Sequence, residues 1–307
     1  MIHLSKRLIV LIALLFIITV FLIAFMTFRV KSLNNSIEAN DDISTIEEKI
    51  DKLSRFEIDA AKYTKRIIHP LCLACFKGNY ETVKILVDKG VDINAKSRMT
   101  GNTPILYTLD GGNDPKRCEI AMYLIQHGAD INDMDANGNT ALKKLMWNKP
   151  DSKEALELFK YLYVNASPEY DYTAFQLAAN DDVPELVDWL IKEQGFSYSD
   201  LSQEDGSYLH YYYRLLENGR LWRKPLMVEY IINAKLEDIN SQDSKGRTIL
   251  SVAAESNEAD DCAKFISLGA DPFVKDNSGK TAFDYAVENN SEESKTILKE
   301  YSEQSYK

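Results

Sequence analysis

The sequence predicts an all-α protein, a solenoid of roughly seven short helical repeats that follows a single N-terminal transmembrane helix. Two observations lead to this fold class: an apolar run lies near the N-terminus, and a pattern of about 33 residues recurs beyond it. A composition of 45% hydrophobic and 10% aromatic residues supplies enough apolar surface for a packed core.

The apolar run covers residues 8–28 and contains only two polar residues, Thr19 and Thr27. As a helix it is about 31 Å long, which matches the hydrocarbon core of a bilayer. A cleaved signal peptide is the alternative, but its apolar region is about 7–15 residues long and ends in small residues. Bulky residues end the run here, which favours an uncleaved membrane anchor over residues 1–31.

The charges beside the run favour one orientation only narrowly. Lys6, Arg7 and the α-amine precede it, whereas Arg29 and Lys31 follow it. The positive-inside rule therefore slightly favours a cytoplasmic N-terminus and a translocated domain, which is periplasmic if the organism is bacterial. The opposite arrangement, with a cytoplasmic domain, stays open.

Residues 32–65 form a linker that is first polar and then helical. Its apolar residues recur at three- and four-residue steps, as on one face of an amphipathic helix. They are Ile43, Ile46, Ile50 and Leu53. Ser44 and Glu47 match a capping box at the start of this helix. The helix is either a stalk or a cap that covers the apolar face of the first repeat.

From about residue 66 to residue 301 the chain repeats itself. "LVDKGVDINA" (residues 86–95) and "LIQHGADIND" (residues 124–133) share one pattern, although Lys89 replaces His127. Chemistry that needed the histidine would not recur without it, so the pattern is architectural. Two later threonine pairs have the same spacing of 33 residues. They are Thr140 with Thr173 and Thr248 with Thr281.

This pattern resembles the ankyrin repeat, which reads G-x-T-P-L-H-x-A, then V-x-x-L-L in a second helix, then G-A-D-x-N. The match is clear in four repeats and approximate over residues 145–240. The four clear repeats begin near His69, Thr103, Thr248 and Thr281. The resemblance implies an ankyrin-repeat solenoid over residues 66–301, followed by a tail of residues 302–307.

Several residue types recur because the repeat needs them. Pro104 opens a helix, where its missing N–H would have no partner anyway. Small residues let successive inner helices approach closely: Ala74, Ala178, Ala253 and Ala286. Glycines end outer helices in a left-handed conformation: Gly90, Gly128 and Gly269. Aspartates start the connection to the next repeat with side-chain hydrogen bonds: Asp92, Asp130 and Asp271. His127 caps an outer helix.

The candidate thiol chemistry is a C-x-x-C pair, Cys72 and Cys75, formally a redox motif or half of a zinc site. The repeat register places both in core positions, which favours buried fillers. A local disulfide and a thiol-redox function are the alternatives. Cys118 and Cys262 begin outer helices of separate repeats, and no second pair completes a zinc site.

The remaining candidate motifs also belong to the repeat. His69 and His210 occupy its T-P-L-H segment, which predicts structural hydrogen bonds. "NSGKTAF" resembles the end of a phosphate-binding loop, but Val274 stands where that motif requires its first glycine. We therefore expect no enzyme, no metal, no cofactor and no small-molecule substrate.

The net charge of −11 indicates the kind of partner. Residues 1–30 hold three basic residues and no acidic ones, so the remainder has 33 basic against 47 acidic residues, a balance of −14. This balance disfavours nucleic acid, whose binding needs cationic residues. It favours a protein partner with a basic surface.

An aromatic and cationic segment is the main candidate for partner binding. Three consecutive tyrosines cannot all face inward, because neighbours on a helix are about 100° apart. Extra residues also enlarge the loops at residues 109–117 and 217–225, and residues 146–153 form a related irregular loop. Insertions in repeat proteins often lie on the binding face. The predicted partner-binding residues are Trp147, Tyr211, Tyr212, Tyr213, Arg220, Trp222 and Arg223.

Together these observations predict a membrane-anchored module that binds a protein and sequesters or inhibits it. In architecture the chain resembles membrane-bound ankyrin proteins that neutralise periplasm-acting toxins, so an immunity-type antagonist is the specific expectation. A tether that binds without inhibiting is one alternative. A thiol-redox protein that uses Cys72 and Cys75 is the other.

Overall fold

The computed structural model describes residues 6–63, 67–166, 171–180, 183–197, 209–210 and 226–304. Within these ranges every regular element is a helix and no strand occurs, so the predicted all-α class is confirmed. The chain forms two compact units, Met1–Glu169 and Tyr170–Lys307.

Helix α1 spans Lys6–Ala39 without a break. Its side chains are exposed over residues 12–25, whereas Val30, Leu33 and Ile37 are buried. Among the described helices it alone has the length and apolar composition needed to cross a membrane. The N-terminal part of α1 is therefore exposed and apolar, whereas its C-terminal part contributes to the protein core. The helix continues past residue 31, the predicted boundary of the anchor.

Helix α2 (Ile43–Asp51) begins directly after Asp42, whose carboxylate accepts a hydrogen bond from the Thr45 N–H at 3.0 Å. The capping box predicted from Ser44 and Glu47 is therefore wrong. Aspartate is among the strongest N-cap residues, and Asp42 has the extended backbone that an N-cap requires.

Helix α2 packs against the first helix pair, which is the position expected of a cap. Ile46 and Ile50 are fully buried, and Leu53 is nearly so, whereas Ile43 at the start of the predicted stripe is exposed. The helix packs against α1 and against the outer helix of the first pair, and α1 packs against the inner helix of that pair.

Helix α3 (Arg55–Asp59) is followed by a short 3₁₀ helix, Ala60–Tyr63. A capping box formed by Ser54 and Glu57 starts α3. Glu57 also forms an ion pair of 2.6 Å with Arg29, so α3 is tied to α1.

Asp59 at the end of α3 connects the cap to the first repeat. Its carboxylate accepts the backbone N–H of Asp92 at 2.9 Å and lies 3.3 Å from Nε2 of His69. Burial raises the pKa of Asp59, but the hydrogen bonds with His69 and Asp92 together outweigh it and lower the pKa. The carboxylate is therefore held in its ionised, bond-accepting form.

Three helix pairs complete the first unit, each with an inner and an outer helix. They are α4 (Pro70–Lys77) with α5 (Tyr80–Asp88), α6 (Pro104–Asp110) with α7 (Pro115–Gln126), and α8 (Ala141–Trp147) with α9 (Lys153–Asn165). Inner helices contact the next inner helix, and outer helices the next outer helix. Pro70 and Pro104 occupy the first helical turn, as predicted for Pro104.

The second unit repeats this arrangement. Its helices are α10 (Asp171–Asn180), α11 (Pro184–Gln194), α12 (Leu226–Asn233), α13 (Ile249–Glu255), α14 (Ala259–Ser267), α15 (Ala282–Glu288) and α16 (Glu292–Gln304). The inner helices α13 and α15 pack together, as do the outer helices α14 and α16. The described residues of the two units contain six complete pairs and α12, so the number of seven repeats stays a prediction.

The predicted small and turn residues have the expected roles. The four inner-helix alanines are buried: Ala74, Ala178, Ala253 and Ala286. The three glycines are left-handed, with φ of 76°, 95° and 100°: Gly90, Gly128 and Gly269. The three aspartates each accept the backbone N–H two residues later, at 3.1, 2.9 and 2.8 Å: Asp92, Asp130 and Asp271.

In each unit an asparagine joins one such turn to the turn of the next repeat. The Asn94 amide oxygen accepts the Asp130 N–H at 2.9 Å, and its amide nitrogen donates to the Gly128 carbonyl at 3.2 Å. Asn240 makes the same two bonds in the second unit, to Asp271 at 2.7 Å and to Gly269 at 3.3 Å. This residue therefore sets the spacing between neighbouring repeats.

The connections between repeats also touch each other through their backbones. The Ala136 N–H donates to the Thr100 carbonyl at 2.9 Å. A Cβ added to Gly101 would lie 2.7 Å from that same nitrogen, and φ of Gly101 is +72°. Glycine is thus required here for both its conformation and its size.

We expect Gly101→Ala to lower the free energy of unfolding by about 2–4 kcal/mol, because the change adds a steric clash with Ala136 to the cost of a left-handed residue. Gly138→Ala is the matched control, since φ of Gly138 is +76° and no atom lies within 4 Å of its added Cβ. The control should lose only about 1–2 kcal/mol. Urea unfolding of the full chain, followed by circular dichroism, measures both, and equal losses would contradict the close approach.

Candidate partner-binding surface

The cysteine thiols fill the core. All four are free and buried. Cys72 donates to the Ala95 carbonyl at 3.6 Å. Burial raises the pKa of Cys72 well above its usual value and that of Cys75 to about 12, the opposite of what a reactive thiolate needs. The prediction of buried fillers is confirmed, and the alternative of a local disulfide is wrong.

The histidines have structural positions. His69 is the buried residue before α4, and Nε2 of His210 lies 2.8 Å from the Arg247 carbonyl oxygen. His127 ends α7 as predicted, with its ring 4.0 Å from that of Tyr123. Among the residues that the structure describes, no group of His, Cys, Asp and Glu could hold a metal ion.

Of the predicted partner-binding residues, the structure describes Trp147. The other six lie outside the described residues: Tyr211, Tyr212, Tyr213, Arg220, Trp222 and Arg223. Trp147 is the last residue of α8 and is 60% exposed. The Lys143 ammonium lies 5.3 Å from the centroid of its ring. A large ring with a cation beside it offers both apolar area and a polar edge to a partner.

Trp147 belongs to a row of equivalent positions on neighbouring inner helices. It is the seventh residue of α8, and the seventh residues of α4 and α6 are Phe76 and Asp110. Phe76 is 43% exposed, and its ring meets that of Tyr107 edge-on at 6.4 Å. The first unit therefore exposes two aromatic rings in one row, with a carboxylate between them.

The second unit uses the same position differently. The seventh residues of α13 and α15 are Glu255 and Glu288, each 2.7 Å from a cation eight residues earlier in the chain. Those cations are Arg247 and Lys280. At these two positions the side chain is a carboxylate that forms an ion pair with a cation of the same repeat. An exposed aromatic ring is therefore not an architectural requirement there.

Two methionines in the connections between helix pairs are exposed, and the sequence did not reveal them. Met99 lies between α5 and α6 and is 70% exposed, while Met134 lies between α7 and α8. The Thr100 hydroxyl beside Met99 is 3.0 Å from the Tyr107 hydroxyl, which places this connection next to the row. Single apolar residues in polar connections are common on protein surfaces, so no sequence signal marks them. We name Phe76, Met99 and Trp147 the inner surface.

Comparison with known proteins agrees with this geometry. Family models of ankyrin repeats match residues 71–151, described as three copies, and residues 231–286, described as many copies. The mouse (Mus musculus) protein phosphatase 1 regulatory subunit 27 is 35% identical over 116 residues, which are 36% of this chain and 70% of that protein. The chain belongs to the ankyrin repeat family.

Two further relatives carry the family name. An ankyrin repeat protein of Rickettsia bellii (strain RML369-C) is 27% identical over 139 residues, 43% of this chain and 79% of that protein. The ankyrin repeat and SAM domain-containing protein 6 of Rattus norvegicus is 35% identical over 85 residues, 27% of this chain and 9% of that protein. The similarity therefore lies in the repeats.

The two irregular loops of the first three ankyrin repeats are bonded to each other. The Asn113 side chain donates to the carbonyls of Asn148 and Lys149 at 2.9 and 2.6 Å. The Asn148 side chain donates to the Leu109 carbonyl at 2.7 Å. The loops after α6 and α8 thus lie side by side, next to Trp147. The third enlarged loop, at residues 217–225, lies outside the described residues.

Lys144 joins the second and third ankyrin repeats beside the inner surface. Its buried ammonium pairs with Asp110 and, at 2.9 Å, with Asp135. Burial raises the pKa of Asp135, but bonds from the Asn139 backbone and Lys144 outweigh it and lower the pKa. Burial lowers the pKa of Lys144, and its bonds to the two carboxylates raise it by more. Asp135 and Lys144 are therefore both ionised at neutral pH.

We expect Lys144→Met to lower the free energy of unfolding by about 2–3 kcal/mol at pH 7, because two neighbouring carboxylates lose their shared cation. Since the folded pKa of Asp135 is lowered, its stabilisation is present above about pH 4 and is lost on further acidification. The difference between variant and wild type should therefore shrink as the pH falls through 4.

Lys96→Met is the matched control, because Lys96 forms an exposed ion pair of 3.0 Å with Asp133. Exposed pairs contribute about 0–1 kcal/mol. Denaturant unfolding of the full chain across this pH range measures both variants. A loss for Lys144→Met no larger than the control would contradict the role of the buried cluster.

Proposed function

We propose that the chain is a membrane-anchored ankyrin-repeat module that binds another protein through the inner surface of its first unit. The observation that carries the proposal is the exposed pair of rings, Phe76 and Trp147, at a position that α13 and α15 of the second unit fill with paired carboxylates. Aromatic side chains bury much area with little loss of side-chain freedom, and they are enriched among the residues that dominate binding energy.

A binding role without catalysis agrees with the relatives and with the core. The mouse relative is named a regulatory subunit of a phosphatase, which is a role exerted through another protein. The candidate nucleophiles Cys72 and Cys75 are buried, with pKa values that keep them protonated. The thiol-redox alternative therefore has no support.

The anchoring half of the proposal rests on helix α1. Val30, Leu33 and Ile37 of the same unbroken helix are buried in the first unit. The apolar run thus continues directly into a segment that the folded unit needs, whereas a signal peptide is removed from the mature protein.

For orientation we propose a cytoplasmic N-terminus and a translocated domain, as the flanking charges narrowly favour. Lys52 and Arg55 also lie near this end of α1, but they follow Phe28 by more than 20 residues, and the rule counts cations within about 15–20 residues. A carboxyl-terminal alkaline phosphatase fusion that stays inactive in cells would contradict this orientation.

In its more specific form, the proposal is an inhibitor that sequesters a partner with a basic surface. The acidic balance of −14 beyond residue 30 supports a cationic partner. Antagonism of a periplasm-acting toxin is one case and needs the translocated domain. A tether would bind equally well, so the activity of the purified partner with and without this chain separates the two.

We expect a photo-crosslinking amino acid at position 147 of the full-length chain, in its native membrane, to capture the partner. The same amino acid at position 161 is the control, because Tyr161 is exposed on the outer helix α9. With the captured protein purified, Trp147→Ala and Phe76→Ala should each weaken binding by about 1–4 kcal/mol, and Tyr161→Ala by less than about 0.5 kcal/mol.

Isothermal titration measures the affinities, and circular dichroism checks the fold of each variant. Unchanged affinity for both inner-surface variants would contradict the proposed surface. If cells contain the protein as a cleaved chain that lacks the apolar run and is not bound to the membrane, the proposed membrane anchor is contradicted.

A further inference from the structure

A cavity of about 280 Å³ lies between α1 and the segment formed by α3 and the 3₁₀ helix. Its main lining residues are Ile23, Met26 and Val30 from α1, and Phe56, Tyr63 and Ile67 opposite. The lining is almost entirely apolar. The partner-binding surface does not use it, so its occupant requires a separate explanation.

The cavity lies where α1 changes from exposed to buried. Residues 23–28 are the end of the apolar run, and α1 is buried from Val30 onward on one side. At 1.5 Å per residue, the lining from Ile23 to Val30 covers about 10 Å of the helix axis. Ile23 belongs both to the cavity and to the exposed apolar surface of α1, so the two surfaces are continuous.

Two aromatic rings beside the cavity are exposed on the unit. Phe56 is 74% exposed and Tyr63 is 64% exposed. Because they line a cavity whose other wall is the end of the apolar run, a bilayer around α1 would reach them. In membrane proteins, aromatic rings are enriched at the interface between the hydrocarbon core and the headgroups.

The local charge also suits a lipid surface. Residues 52–66 carry five basic and two acidic residues, in a chain that is otherwise strongly acidic. Arg29 follows the apolar run, donates to the Lys52 carbonyl and pairs with Glu57, so the start of this basic stretch is held beside the end of the run. Clustered cations next to a membrane span attract anionic headgroups.

We propose that this cavity holds an acyl chain of a bilayer phospholipid and that residues 55–63 lie in the membrane interface. The inference rests on the proposed anchoring of α1. An acyl chain needs no hydrogen-bond partners, which an almost wholly apolar wall does not offer, and it can enter from the surface of α1 that it already covers. The lipid would fix the angle at which the first unit stands on the membrane.

The test uses the full-length chain in nanodiscs of phosphatidylcholine and phosphatidylglycerol, with a phosphatidylcholine that carries a photoreactive group within its acyl chain. We expect mass spectrometry to map labels to residues 12–30 and also to residues 55–63. Ala60→Phe, which fills the cavity, and Phe56→Ser, which alters an exposed residue, should each lower labelling of residues 55–63 about fivefold, the effect of displacing one or two methylene groups.

Labelling of residues 12–20 should be unchanged in both variants, and Met99→Ser, away from the cavity, should change neither region. Labels on residues 12–20 without any on residues 55–63 would overturn the lipid site and leave the anchor intact. Absence of labels from both regions would overturn the anchor as well. A photo-crosslinking amino acid at position 56 that captures a second copy of the chain, in place of lipid labels on residues 55–63, would show that a second chain occupies the cavity and would also overturn the proposal.

Discussion

An ankyrin repeat can bury its apolar face only against another helix pair, and the first pair lacks a preceding one. Here the second half of α1 and helix α2 take that place, with Leu33, Ile46 and Ile50 fully buried. The same α1 carries the exposed apolar run. Because this run and the cap are parts of one unbroken helix, the exposed apolar segment and the first repeat are mechanically joined.

Polar contacts then set the distance between repeats. Asn94 and Asn240 each bridge one turn to the next, Lys144 pairs with carboxylates of two repeats, and Gly101 permits a close backbone approach. Since these contacts fix the framework, the seventh position of each inner helix can vary. It carries exposed rings in α4 and α8, and carboxylates paired with cations in α6, α13 and α15.

The sequence predicted those features that local backbone chemistry dictates. Gly90 and Asp92 recur because a left-handed turn and its side-chain hydrogen bond need those residue types. Ser44 was predicted as the start of α2 because several residues that can serve as an N-cap lie close together there. Only the backbone conformation shows that Asp42 is the N-cap. Phe76 and Met99 were missed because their exposure depends on how repeats stack. Trp147 was predicted only through the irregular loop that follows it.

Amide hydrogen exchange of two shortened chains tests most directly whether α1 is the cap of the first repeat. A chain that starts at residue 29 keeps the buried half of α1, and a chain that starts at residue 40 lacks it. In the first shortened chain, the amides of α4 and α5 should be as protected from exchange as in the full-length chain. In the second, the protection factors of the α4 amides should fall at least about tenfold. Equal protection of α4 in both shortened chains would contradict the account.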